Sequence, residues 1–122
     1  MARFRLSSPA QADLEQILAT SGERWGDDAR RRYAALLVAA MRQVAADPEG
    51  PVTRNRKDLL PGIRSFHLRH ARPDRRADSV RQPVHVIYYR AVLQGIIEIV
   101  RVLHERMEPS RHLSAALGEP QE

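Results

Sequence analysis

The chain has 122 residues, 43% hydrophobic and 29% charged, which is the balance of one compact domain spanning 1–122 and excludes both a disordered polymer and a two-domain enzyme. Its net charge of +5 rests on nineteen arginines and the single lysine Lys57, so an acidic partner is expected, either nucleic acid or protein. It lacks cysteine, a membrane-length apolar run and a signal-peptide pattern, which excludes disulfides and thiolate metal sites and points to a soluble cytoplasmic protein.

Arg3 to Ser7 alternates as a short strand, with Phe4 and Leu6 on one face and Arg3 and Arg5 on the other. Ser8-Pro9-Ala10-Gln11 then reads as a helix start, with Ser8 as cap, Pro9 in the first turn and Gln11 completing a capping box. Leu14, Ile17 and Leu18 give that helix its stripe, and Gly22 is expected to end it. Trp25 is expected to anchor the packing at the hinge. Asp27 is the expected cap of a second helix. Its apolar face runs through Ala29, Tyr33, Leu36, Leu37, Ala40, Met41 and Val44 and stops at Asp47-Pro48. The short turn between the two makes an antiparallel hairpin.

Val52 to Gly62 reads as a polar connection. Ile63 to Arg69 alternates as a strand, with Phe66 and Leu68 on one face and Ser65, His67 and Arg69 on the other. His70 to Pro83 carries four arginines and two prolines beyond its first residues and reads as a long, mobile hairpin loop. Val84 to Ala91 is the next strand, with His85, Ile87 and Tyr89 sharing a face. Ile96 to His104 is apolar on both faces, as a central strand is. A short helix is expected over Met107 to Ala116, and 117–122 as a frayed tail. The sum is an α+β fold of order β-α-α-β-β-β: an N-terminal strand, a helical hairpin packed on a small, mainly antiparallel sheet, and a short C-terminal helix. With Phe66 and Leu68 turned to the helices, the opposite face is expected to present Ser65, His67, Arg69, His85, Ile87 and Tyr89 to a partner.

Three stretches in this order carry a family resemblance: Gly62-Ile63-Arg64-Ser65-Phe66-His67-Leu68-Arg69-His70, Val84-His85-Val86-Ile87-Tyr88-Tyr89-Arg90, and Ile97 to Met107. Together with the order of elements, they resemble the RelE/ParE toxin superfamily over residues 2–113. The Arg101-Val102-Leu103-His104-Glu105-Arg106-Met107 ending, followed by Ser110-Arg111-His112-Leu113, is similar to the ParE branch. The resemblance implies the toxin of a type II toxin–antitoxin pair, held inactive by a ParD-like antitoxin. Its implied target is DNA gyrase, and operator DNA would be reached only through the antitoxin. The RelE branch of the same superfamily implies the alternative, ribosome-dependent cleavage of messenger RNA, and fold alone does not choose between the two.

Ribonuclease chemistry needs a base for the 2′-hydroxyl, an acid for the leaving oxygen and cations for the phosphorane. RelE-type nucleases place lysines and arginines on the open sheet face. Here the corresponding positions hold Ser65, His67 and His85, and no tyrosine follows Tyr89. The residues available to a nuclease would be His67, His85 and His112. The expectation is instead a non-catalytic inhibitor without cofactor or metal. Its target surface is expected to draw on Arg101, His104, Arg106, Arg111 and His112, and its antitoxin surface on Arg69, His85, Ile87 and Tyr89. Arg101 and His104 also have a structural reading, as a charge answered by a neighbour and a strand-end ring bonded to backbone. The Arg72, Arg75, Arg76 and Arg81 cluster reads as a solvated charge run, with no aromatic side chains to stack bases.

Overall fold

The computed structural model describes residues 3–117, so the expected tail, apart from Leu117, lies outside the described residues. The elements are β1 (Arg3–Leu6), α1 (Ser8–Trp25), α2 (Asp27–Ala46), β2 (Arg54–Asn55), β3 (Arg64–His67), β4 (His85–Leu93), β5 (Ile96–His104) and α3 (Pro109–Ala116). The strands form one sheet in the order β1-β5-β4-β3-β2. β1 lies parallel to β5 and every other pairing is antiparallel. This is the expected α+β arrangement. Among the described residues, no helix is long and apolar enough to cross a membrane.

The cap of α1 is Ser7, one residue before the expected Ser8. Its Oγ accepts the Ala10 N–H at 3.0 Å and donates to the Val100 carbonyl at 2.7 Å, so one hydroxyl both starts the helix and ties it to β5. α1 runs through Gly22 to Trp25. The true break is Gly26, whose φ of 89° and ψ of 173° lie where only glycine is comfortable. Gly22 serves packing instead: a Cβ there would lie 3.1 Å from Cδ of Arg30, so its bareness lets α2 approach. Trp25 does not anchor the hinge. It is the last residue of α1 and is 74% exposed at the tip of the hairpin. Asp27 is the first residue of α2, not its cap.

The helical hairpin covers one face of the sheet. Leu36, Leu37, Ala40, Met41 and Val44 of α2 pack there against Phe66, Leu68, Ile87, Tyr89, Ile97, Ile99 and Val102. The opposite face is also covered, by a smaller cluster of Ile63, Tyr88, Val100, Leu103 and Leu113, with Leu59, Leu60 and Val86 at its margin. β5 supplies both clusters, which is why it reads as apolar throughout.

The expected assignment of faces fails on β4. The register sets Phe66 opposite Ile87 and His67 opposite Val86. Ile87 and Tyr89 therefore share the helix-covered face with Phe66 and are 0% and 1% exposed. Ser65 is buried as well, on the other face beside Tyr88. Strand parity across a connection is set by register, and a slip of one residue turns every side chain over. Two further differences are local. The polar connection contains the two-residue β2, and the end of the expected third strand winds into a 3-10 turn, Leu68–His70, where the His67 ring accepts the Arg69 N–H.

Candidate functional site

The chemistry-bearing side chains gather where β3, β4 and β5 end. On the helix-covered face, Tyr33 of α2 sits over His85. The Tyr33 hydroxyl receives the Val84 N–H at 3.3 Å and donates to Nδ1 of His85 at 2.6 Å. His104 lies beside His85 across the β4–β5 pair, ring centroids 5.7 Å apart and edge-on. Burial, and then the neighbouring His104, push the His85 pKa down to about 4, so near neutral pH its ring is an uncharged acceptor. Burial raises Tyr33 above its ordinary value, which keeps its proton in place as the donor.

His67 occupies the other face. Its Nδ1 accepts from Arg69 N–H at 3.0 Å, which leaves Nε2 to donate to Glu105 Oε2 at 2.7 Å. That hydrogen bond is the main reason the Glu105 carboxyl titrates below its ordinary value. His67 and His85 are thus turned to opposite sides of the sheet, and each has at least one nitrogen committed. His112 stands apart on α3, where its carbonyl oxygen receives Nη1 of Arg101 at 3.4 Å. The three histidines available to a nuclease are not brought to one space. Among the described residues, no group of three His, Asp or Glu side chains could hold a metal ion.

Arg101 is not a free contact residue. It makes a two-pronged ion pair with Asp13 of α1, both N–O distances 2.7 Å, in a setting that leaves the two side chains 16% and 13% exposed. The same carboxylate accepts the Val102 N–H at 2.9 Å. Arg101 therefore joins α1, β5 and α3. The structural reading also fits His104, whose Nδ1 accepts the Arg106 N–H at 3.1 Å. Glu98, likewise, answers Arg90 at 3.0 Å and Arg5 at 3.3 Å across three strands.

Of the expected target surface, Arg106 and Arg111 remain exposed and His112 half-exposed, beside the 41%-exposed Met107. They sit on the turn after β5 and the first turns of α3, which Glu108 caps by accepting the Ser110 N–H at 3.0 Å. Of the expected antitoxin surface, Arg69 is exposed, His85 is partly covered by Tyr33, and Ile87 and Tyr89 are core. Asp13, Tyr33 and Glu105 were not singled out in sequence. Asp13 had a signal: it shares the apolar side of α1 with Ala10 and Ile17, where an unpaired carboxylate would be costly.

A family model described as the ParE toxin of the type II toxin-antitoxin system, parDE, matches residues 4–109. The chain is similar to Toxin ParE1 of Mycobacterium tuberculosis, 35% identical over 111 residues that cover 91% of this chain and 97% of that protein. It is also similar to Toxin ParE1 of Caulobacter vibrioides, 32% identical over 113 residues covering 93% and 99%. Toxin ParE of Escherichia coli is 27% identical over 117 residues, covering 96% and 98%. With the match running from β1 through the turn after β5, the chain belongs to the ParE toxin family of the RelE/ParE superfamily, the toxin halves of parDE toxin–antitoxin pairs.

Proposed function

We propose that this toxin acts by binding and inhibiting DNA gyrase, without catalysing a reaction, and that a cognate ParD-like antitoxin neutralises it. The observation that carries the reading is the ParE-family match over residues 4–109. Two features support it. His67 and His85 face opposite sides of the sheet, with ring nitrogens engaged by Glu105, Arg69 and Tyr33, which is a poor arrangement for paired acid–base work. The exposed basic side chains of Arg106, on the turn after β5, and Arg111, in the first turns of α3, lie just beyond the last strand, where a rigid scaffold displays contact residues.

The antitoxin lays an acidic, amphipathic segment over the helices and the sheet edge, pairing with exposed arginine, Arg69 included. Ile87 and Tyr89 have no part in that contact, because they are covered already. Operator DNA is reached through the antitoxin, and the site of action is the cytoplasm.

The test is a supercoiling assay with purified gyrase, run beside a translation assay with intact messenger RNA as readout. Supercoiling is expected to fail at saturating toxin while transcripts survive. The Arg106→Ala/Arg111→Ala variant is expected to weaken inhibition about tenfold or more, with its melting temperature within a degree or two of the parent, as exposed charges predict. Unimpaired supercoiling overturns the reading. Transcript cleavage that disappears with His67→Ala points to the messenger-RNA reaction instead.

A further inference from the structure

Residues 71–83, read in sequence as a mobile run of charge, are a fixed surface in the fold. Ala71 and Val80 turn inward against the main core. Gln43 of α2 holds the entry to the segment, accepting the Arg72 N–H at 3.2 Å and donating to the carbonyl of the preceding His70 at 3.5 Å. A 3-10 turn, Arg76–Asp78, ends on the buried Asp78, whose carboxylate meets Arg31 of α2 at 2.9 Å. Asp74, the segment's other carboxylate, faces Arg42 of α2 at 3.7 Å.

The consequence is a separation of charge. Asp78 is buried against α2, and Asp74, though exposed, is paired with Arg42 of α2. Arg72, Arg75, Arg76 and Arg81 are all exposed, and among the described residues none has a carboxylate within ion-pair distance. We propose that this segment is a binding surface for the phosphate backbone of double-stranded DNA.

Three observations select that partner. Ala71 and Val80 are turned to the core and the exposed Ala77 is a single methyl, so no large apolar or aromatic anchor remains for a protein partner. The segment has no aromatic residue, so it lacks the stacking platforms of a single-strand binder. What it offers is several guanidinium groups on a held backbone, which match phosphate oxygens and carry no sequence preference. The proposal goes beyond gyrase inhibition and does not depend on it, because its test contains no gyrase.

The experiment is fluorescence anisotropy of the full chain on a short labelled DNA duplex of arbitrary sequence, titrated with salt. Four phosphate contacts predict a log–log slope near −3.6, or roughly a hundredfold loss of affinity between 50 and 200 mM salt. Arg75→Gln/Arg76→Gln is expected to make the slope shallower by about 1.8. Arg24→Gln/Arg54→Gln removes the same charge from exposed positions elsewhere and is expected to leave the slope unchanged. Asp78→Asn raises the net charge yet unties the segment, and is expected to weaken binding severalfold where charge alone would tighten it. Circular dichroism and melting of each variant verify that it is folded. No binding at 50 mM salt, equal losses in the two double variants, or tighter binding by a folded Asp78→Asn protein overturns the proposal. So does polyglutamate competing as well as DNA at equal charge, which would assign the surface to an acidic polypeptide.

Discussion

The two faces of the sheet are built to different standards. The helix-covered face holds a continuous core under α1 and α2, and even its polar margin is closed, with Tyr33 over His85. The opposite face holds a smaller cluster, which α3 meets through the buried Leu113 and the half-buried Ala116, with the Arg101–His112 contact beside them. The first face carries the fold. The second holds in place the short helix that bears Arg111 and His112. On the reading proposed above, stability and target recognition are then separable, which is the usual division between a rigid scaffold and the segments it displays.

That division is broken most directly by Phe66→Ala, which empties the centre of the larger core. A loss of about 4 kcal/mol is expected in urea unfolding, enough to unfold a marginal domain. Leu113→Ala should cost less, about 2.5 kcal/mol, because the cluster around it is small and edged by half-buried side chains that can close on the gap. Amide exchange should then speed up in α3 while β4 and β5 remain protected, and gyrase inhibition should fall further than stability does. Global exchange at one rate would merge the two faces into a single cooperative unit.

The smallest effect is the pH dependence of the closed margin. The folded pKa of His85 lies at about 4, below the ordinary 6.5, so the folded state resists protonation. Its contribution is complete above pH 6.5 and is lost progressively as the pH falls toward 4. Between pH 7.5 and 5 the loss is about 2 kcal/mol at most, and solvent access to the ring reduces it. The measurement is the difference between the parent and His85→Gln across that window, since carboxylates titrate in both. Parallel stability curves for the two proteins would mean that the ring is not held neutral by its surroundings.

Much of this was legible from pattern alone. The apolar face of α2 from Ala29 to Val44, the length of β5 and its two-sided burial, and the order of elements follow from periods of 3.6 and 2. The faces of β4 did not follow. Val84, Val86 and Tyr88 are as apolar as Ile87 and Tyr89, so alternation showed two candidate inner faces, and seventeen residues separate β4 from β3 without fixing the parity. The misassignment then placed His67 with His85 and promoted two core residues to a partner surface. β2 was missed for a different reason: Arg54 and Asn55 are both exposed, so no hydrophobic pattern marks them. Among the candidate site residues, chemistry was easier to read than engagement. Arg101 has the same side chain as Arg106, and only the position of Asp13, 88 residues away in sequence, distinguishes a strut from a contact.

The Asp13 carboxylate has one more consequence. β1 pairs with β5 only as far as Ile99, so Val100 to His104 would otherwise be an open border of the sheet, with Val100, Val102 and Leu103 among its side chains. Such borders recruit further strands, including those of sister molecules. Along this one, Ser7 occupies the carbonyls of Ile99 and Val100 and Asp13 occupies the N–H of Val102. Ser7 and Asp13 thereby obstruct strand addition along this border, so the contacts that seat Arg101 also oppose assembly of the chain into aggregates of itself.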